Sequence, residues 1–425
     1  MSFVRGLKCK ECGQEYPKEA LYVCEYCFGP LEVEYDYAAV AGQISRDVIA
    51  RRPQNLWRYR ELLPLDGDPT DGLNSGFTPL VRADKLARVL GVRELWIKND
   101  GVNFPTLSYK DRVVPVAMSK AKELGFDTVG CASTGNLANS VSAHGAKAGL
   151  RRFLFIPHDL ELGKVVGSLI YQPTLVAVNG NYDDVNRLCS EIASKYRWAF
   201  VNVNMRPYYT EGAKTYGFEV AEQLGWRTPD HLVCPVAGGT ILPKIYKAFQ
   251  EFERMELIGP VRTRIFAAQA ATCAPVVRAM HSGQDFVPPV KPAPLSESVD
   301  TSLRIGNPAD GPYVLEALRE TGGWADMATN DEIVDAIRLL AATEGIWTET
   351  AGGTTLAVTR KLIAAGKIDP NGSTVVCITG NGLKTIEAVQ HRIGAPMQIA
   401  ASLKSFEQVV LGGGASERAA AGVAG

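Results

Sequence analysis

The sequence predicts an α/β protein with two open, twisted, mostly parallel sheets flanked by helices and a small cysteine knuckle at its N-terminus. Three observations carry that expectation. From residue 76 onward, apolar runs of strand length alternate with patterns of helix length. The chain has 425 residues and 46% hydrophobic content, enough to bury two full cores. Four of its nine cysteines crowd into the first 36 residues.

Composition narrows the function. Lysine and arginine total 45 against 46 aspartates and glutamates, a net charge of -1, so nothing draws the chain toward nucleic acid or an anionic membrane. No apolar run approaches the ~18 residues that span a bilayer. Residues Met1 to Cys9 lack the apolar stretch of a signal peptide, which makes a cytoplasmic enzyme the expectation. Cys131, Cys189, Cys234, Cys273 and Cys377 stand singly, mostly in apolar surroundings, and read as small core residues in a reducing compartment. The five histidines show no paired metal spacing.

Taken in order, Cys9-x2-Cys12 and Cys24-x2-Cys27 are two knuckles separated by eleven residues, able to present four thiolates tetrahedrally to Zn2+. Residues 1–36 hold four basic against seven acidic side chains, the wrong sign for a phosphate backbone, so the metal site reads as structural. Residues 37–75, with Arg51-Arg52-Pro53 and a Pro/Asp/Gly cluster at 64–69, read as a wandering connection. Strands are then expected at 95–97, 128–132, 153–156, 174–178, 199–203, 232–236, 265–268 and 374–378. Helical patterns between them include 86–90, 117–124 and 185–196. In such folds ligands lie beyond the carboxyl ends of the strands.

The loops at those ends hold the candidate chemistry. After 95–97, Asn103-Phe104-Pro105-Thr106-Leu107-Ser108-Tyr109 leads to Lys110 and then an apolar run, which puts Lys110 at a helix N-terminus facing a cleft. The helix dipole and desolvation both disfavour its ammonium form, the requirement for a Schiff-base lysine. After 128–132, Ser133-Thr134-Gly135-Asn136 offers hydroxyls and amides to an anion such as an amino-acid carboxylate. After 232–236, Ala237-Gly238-Gly239-Thr240-Ile241 makes a nest of amide donors suited to a phosphate. After 374–378, Thr379-Gly380-Asn381-Gly382 places a hydroxyl at a strand end where a ring can approach closely.

A lysine in P-T-x-S-[FY]-K-D-R, an S-T-G-N loop, a small-residue phosphate loop and a late T-G-N-G together resemble pyridoxal-phosphate enzymes of the tryptophan synthase β-subunit fold, fold type II. The blocks at 76–80, 203–215 and 346–353 are similar to those of the threonine synthase family, and the knuckle to that of a prokaryotic subgroup; the resemblance covers roughly residues 5–408.

That resemblance implies pyridoxal 5'-phosphate bonded to Lys110, with Asn136 on its 3-hydroxyl, Ala237 to Ile241 on its phosphate and Thr379 at its pyridine nitrogen. It implies a phosphorylated amino-acid substrate, O-phosphohomoserine, converted to threonine with release of phosphate. Candidates for binding that substrate are Ser108, Ser133, Thr134, Lys164, Asn204 and Arg206. A homodimer is the family expectation, and the competing activity is that of a related dehydratase or β-replacing enzyme. The implied organisation is a knuckle at 1–36, a connection at 37–75, a large cofactor-binding domain at 76–113 and 206–408, a small domain at 114–205, and a disordered tail at 409–425. The chain departs from the family pattern in Phe104 between Asn103 and Pro105, in Tyr109 where phenylalanine is usual, and in a phosphate loop shorter than G-N-x-G-N.

Overall fold

All eight expected apolar runs form strands in the computed structural model, which describes residues 3–70, 73–133, 135–158, 160–180 and 182–411. The strands in chain order are Val4–Cys9 (β1), Glu15–Tyr16 (β2), Leu31–Tyr35 (β3), Leu80–Arg82 (β4), Glu94–Asn99 (β5), Thr128–Ala132 (β6), Arg151–Pro157 (β7), Thr174–Val178 (β8), Ala199–Phe200 (β9), His231–Pro235 (β10), Arg264–Ala270 (β11), Trp324–Ala328 (β12) and Ser373–Ile378 (β13).

They form three sheets. The largest runs β12-β11-β10-β13-β5-β4 and is parallel except for the antiparallel β4 edge. The second, β8-β7-β6-β9, is wholly parallel. Parallel sheets are covered on both faces and so read as continuous apolar runs, which is why β6, β10 and β13 are buried along their whole length. The third, β2-β1-β3, is antiparallel and carries the cysteine knuckle.

Residues 37–75 are more structured than a wandering connection. Asp36, Ser45 and Asn55 each cap a short helix, Tyr37–Ala41, Arg46–Ala50 and the 3-10 turn Leu56–Leu62. Arg58 anchors the segment to Glu222 at 2.7 Å. The strand expected over 199–203 ends early: residues 201–205 turn, because Asn204 accepts the Phe200 amide at 2.7 Å. Contacts separate Val389–Gly425 as its own unit, in which Leu403–Phe406 and Glu407–Leu411 are helical. Of the expected disordered tail, Val409 to Leu411 thus lie in a helix, and 412–425 lie outside the described residues.

The carboxyl ends of β5, β6, β10 and β13 lead into the four loops singled out in the sequence. A buried charge network fixes the first of them. Arg112 donates to Asp100 at 2.6 and 2.7 Å and to Glu219 at 2.6 and 2.8 Å, and Lys98 reaches Glu219 at 2.6 Å. Burial pushes the Glu219 carboxyl up, but Arg112 and Lys98 outweigh it and hold it at about 2. Two cations and two carboxylates taken out of water together are stable only when fully hydrogen-bonded, as here. The network seats the first turn of helix Lys110–Glu123 against the large sheet.

Candidate active site

Lys110 is the first residue of its helix, and its side chain opens into a cavity of about 650 Å3. That volume suits a cofactor with a small substrate. Four strand-end loops line the cavity, contributing Ser108 and Lys110, Ser133 and Asn136, Ala237 to Ile241, and Thr379; Tyr209, Arg206, Asn202, Ser302 and Glu349 complete the wall.

The turn before the lysine accommodates Phe104 by turning it outward, 54% exposed. Asn103 keeps its hold on both sides: its Oδ1 accepts from the Gly76 amide at 2.9 Å and its Nδ2 donates to the Ser108 carbonyl at 3.1 Å. Ser108 Oγ accepts the Lys110 amide at 3.3 Å, and the Tyr109 amide donates to the Thr379 carbonyl at 2.8 Å. The last contact ties the lysine loop to the end of β13. Asp111 ties it to the other sheet, accepting from the Thr106 amide at 2.8 Å and the Ser140 hydroxyl at 2.7 Å.

Among the described residues, Lys110 has no carboxylate in ion-pair contact; its hydrogen bond goes to the Tyr209 hydroxyl at 3.2 Å. Burial pulls its pKa from the ordinary 10.5 down to about 8, against an opposing pull from Glu349. Its accessible surface is cavity wall, so the amine is screened from bulk water although the residue is not fully covered. Four buried lysines are treated differently: Lys98, Lys120, Lys164 and Lys214 each meet a carboxylate within 3.2 Å, whereas Lys384, among the described residues, shares the want of an ion-pair partner but does not line the cavity. An amine left without such a partner is partly neutral near pH 7 and so nucleophilic.

Asn136 begins helix Asn136–Lys147 and donates through Nδ2 to Glu349 at 2.8 Å, leaving its buried Oδ1 without a partner. A buried acceptor without a donor is costly, and the residue that carries it lines the cavity. Ser133 Oγ accepts the Gly135 and Ala138 amides, both at 2.9 Å, which caps that helix and keeps the serine proton free to donate. Thr134 lies outside the described residues. Gly135 is required because a Cβ there would meet Lys164 Cδ at 2.2 Å, and its φ is +123°.

The Ala237–Ile241 loop opens helix Ile241–Arg254. Asp310 holds it from outside: its amide donates to the Gly238 carbonyl at 2.9 Å and its carboxylate accepts the Thr240 hydroxyl at 2.8 Å and Arg206 at 2.6 Å. The close approach needs Gly239, whose φ is +92° and whose added Cβ would meet the Asp310 carbonyl carbon at 2.9 Å. The loop lines the cavity, and amides at the start of a 14-residue helix could hold an anion there.

Two substrate candidates fall elsewhere. Asn204 does not line the cavity: its side chain is spent on the Phe200 amide at 2.7 Å and the Trp198 carbonyl at 2.9 Å, whereas Asn202 reaches the cavity and brackets Ala132 at 3.0 and 3.2 Å. Lys164 is buried behind the wall, donating to Glu161 at 3.2 Å, Thr301 at 3.1 Å and Ser302 at 3.2 Å; only Ser302 faces the cavity. Tyr209, Glu349, Asp310 and Lys384 were not singled out in the sequence. Lys384 is buried, donates to Asn139 at 2.9 Å, and has a pKa lowered by burial. Its place after T-G-N-G was the available signal.

At the N-terminus the four cysteine sulfurs lie within 4.8 Å of one another, with Cys9–Cys27 at 3.4 Å and Cys12–Cys24 at 3.6 Å. Tetrahedral ligation at a Zn–S length of ~2.3 Å requires sulfurs ~3.8 Å apart, so the cluster fits that ion.

Comparison with known proteins places these features in a lineage. Residues 73–380 match the family described as pyridoxal-phosphate dependent enzyme. The chain is 37% identical over 409 residues to a threonine synthase of Methanosarcina acetivorans, covering 96% of this chain and 98% of that one. With a threonine synthase of Methanocaldococcus jannaschii it shares 35% identity over 407 residues, 95% and 98% of the two chains. Among solved structures, the processed form of threonine deaminase isoform 2 from Solanum lycopersicum superposes with a TM-score of 0.62 at 20% identity, over 80% of this chain and 95% of that one, a likeness of fold. Among the described residues no helix is long and apolar enough to cross a membrane.

Proposed function

The chain belongs to the pyridoxal-phosphate dependent enzymes and, within them, to the threonine synthase family, and from that premise we propose that it releases phosphate from O-phospho-L-homoserine and adds water at the β-carbon to give L-threonine. The observation that carries the residue assignment is the buried, carboxylate-free Lys110 opening into a cavity that also holds the orphaned Asn136 Oδ1. Lys110 would bond the cofactor aldehyde, Asn136 Oδ1 would accept from its ring hydroxyl, the Ala237–Ile241 amides would hold its phosphate, and Thr379 would meet the ring nitrogen. Bound there, the cofactor supplies an electron sink beside the amino acid's α-carbon.

The chain's own residues supply the rest. An amine with a pKa of about 8 can take a proton at the α-carbon and return it, and Tyr209, 3.2 Å from that amine, limits its swing. A neutral hydroxyl such as Thr379 stabilises a protonated ring nitrogen less than a carboxylate would, which favours expelling a leaving group over storing electrons. The Ser133 proton and the amides of its helix start suit the substrate carboxylate. Ser108, Ser302 and Arg206 line the same space, and Lys164 sets the potential behind Ser302, giving the phosphate end of the substrate charge-assisted donors.

The four N-terminal cysteines hold a structural Zn2+ in this reading, since their short sheet has little core to fold around without one. None of the nine cysteines is in a disulfide, and a cytoplasmic setting and a homodimer remain the expectations of this reading.

The test is incubation of the purified enzyme with O-phosphohomoserine. The expected result is threonine and free phosphate in equal amounts, abolished in Lys110→Ala together with the visible absorbance of bound cofactor. Formation of ammonia and 2-oxobutyrate from threonine, with no phosphate released from the phosphorylated substrate, overturns it.

A further inference from the structure

The knuckle touches the catalytic body at a place that matters for the cofactor. Between Cys9 and Cys12 lie Lys10 and Glu11. The Tyr313 hydroxyl donates to Glu11 Oε1 at 2.5 Å, and Lys10 Nζ sits 3.3 Å above the Tyr313 ring. Tyr313 belongs to the first turn of helix Gly311–Glu320, and the residue that enters this helix is Asp310. Asp310 is the group that grips Gly238, Thr240 and Arg206 on the outer side of the phosphate loop.

A second set of contacts runs to the helix that carries Arg206 and Tyr209. Strand β3 contributes Tyr35, donating to Glu211 at 2.9 Å, and Glu32, paired with Lys244 of helix Ile241–Arg254, which in turn meets Glu211 at 2.5 Å; the Tyr208 hydroxyl donates to the Glu19 carbonyl at 2.8 Å. Arg206 and Thr240 line both the main cavity and a smaller one of about 230 Å3 that also borders Lys10 and Tyr313. One thin wall of side chains thus separates the knuckle from the cofactor's phosphate cradle.

We propose that Tyr313 is a positioning residue that couples the metal state of the four-cysteine knuckle to the hold on the cofactor phosphate. Metal bound at Cys9, Cys12, Cys24 and Cys27 fixes the two-residue span Lys10-Glu11, because both of its neighbours are ligands. That span clasps Tyr313 from above the ring and at the hydroxyl, which fixes the start of helix Gly311–Glu320 and, through Asp310, the amides of the phosphate loop. With the metal gone, the span keeps strand β1 and the backbone bond from the Lys10 amide to the Pro30 carbonyl at 3.0 Å but loses both flanking ligands, so the side-chain clasp loosens and Asp310 loses one of the restraints that orient it. The coupling works through geometry, and because Asp310 also holds Arg206 at 2.6 Å it reaches the substrate side of the cavity as well as the phosphate loop.

This inference rests on the cofactor reading of the cavity, and its test keeps the two apart. The dissociation constant of pyridoxal 5'-phosphate is measured by absorbance titration of the full chain, with Zn2+ bound and after removal of Zn2+ by EDTA, for the wild type, Tyr313→Phe and Tyr313→Ala. Metal removal is expected to weaken cofactor binding by about tenfold in the wild type, and Tyr313→Ala with metal present by about the same factor. The second perturbation applied to the first should add little, because both open one clasp. Tyr313→Phe, which keeps the ring under Lys10 and loses only the bond to Glu11, folds most conservatively and is expected to lie between. Equal cofactor affinity with and without Zn2+, factors that simply multiply, or a chain that takes up no Zn2+ each overturn the coupling. Absence of any pyridoxal 5'-phosphate bound through Lys110 overturns instead the cofactor reading beneath it.

Discussion

The depressed Lys110 amine is expected to announce itself in the cofactor-free chain in two ways. With a pKa of about 8, roughly one amine in ten is neutral at pH 7, against roughly one in three thousand for an ordinary lysine. Imine formation with an added aldehyde, trapped by borohydride and located by peptide mapping, should therefore select Lys110, with a rate that climbs through pH 8 and levels above it. Stability carries the same signature with a definite sign. The folded pKa lies below the unfolded value of 10.5, so between about 8 and 10.5 the unfolded chain binds more protons and folding stability rises with pH. The penalty is complete below pH 8 and amounts to about 3 kcal/mol. Lys110→Met should accordingly unfold at higher urea than the wild type at pH 7, with the difference shrinking as the pH approaches 10. Trapping dominated by Lys98, Lys164 or Lys384, a reactivity midpoint near that of free lysine, or a methionine variant no more resistant than the wild type at pH 7 would refute the desolvation argument.

Other expectations follow from the same contacts. Arg112→Leu leaves buried Asp100 without a cation and Glu219 with Lys98 alone, and should cost about 3–5 kcal/mol in denaturant unfolding, whereas an exposed control such as Arg187→Leu should cost little. Because Glu219 is held at about 2 against an ordinary 4.5, its contribution is present above pH 4.5 and is lost as the pH falls toward 2, a slope that Glu219→Gln should flatten in acid unfolding. Asn136→Ala removes both the 2.8 Å bond to Glu349 and the free acceptor, and should raise the cofactor dissociation constant by about tenfold in a fluorescence titration. Cys27→Ser should lower the zinc content of the purified chain toward zero and open residues 1–36 to proteolysis, both measurable without an activity assay.

How legible the fold was depended on burial. Most of the eight strands read from the sequence are largely buried, where apolar content is continuous; the edge strand β8 has no buried residue and was legible only from its Thr174-Leu175-Val176-Ala177-Val178 run. Five strands were not legible: β1, β2 and β3 in the short cysteine-bearing segment, β4, and β12, whose half-exposed positions include Asp326, so Trp324-Ala325-Asp326-Met327-Ala328 does not read as an apolar run. β4 is three residues long and antiparallel, too short for any period to show. The choice between Asn202 and Asn204 was equally hidden. Both follow the same strand two residues apart and both bond backbone, and only the turn that begins after Phe200 puts Asn202, bound to Ala132, at the cavity wall and Asn204 away from it. Glu349 and Asp310 were invisible for a related reason: each acts through a partner more than sixty residues away in sequence.

The contrast among the buried lysines says why a sequence could point to Lys110 and yet miss its neighbours. A lysine taken from water is normally accompanied by a carboxylate, and this chain obeys that rule at Lys98, Lys120, Lys164 and Lys214. Breaking the rule at Lys110 is destabilising, so the surroundings must be rigid enough to prevent Glu349 from swinging over to neutralise it. Two constraints do this. Glu349 enters helix Thr350–Ala364 with its amide bound to the Gly380 carbonyl at 3.1 Å, and its carboxylate is engaged by Asn136 at 2.8 Å. On the proposed reading, an asparagine at position 136 would serve the lysine twice, once by restraining the nearest acid and once by leaving an acceptor for the ligand. Replacing Asn136 by aspartate tests that double duty more sharply than alanine does: the like charge expels Glu349 and should raise the Lys110 pKa, shifting the imine-trapping midpoint above 8, whereas alanine frees Glu349 without adding charge. If the midpoint stays put in both variants, Asn136 does not govern the acid and the restraint lies wholly in the helix that carries Glu349.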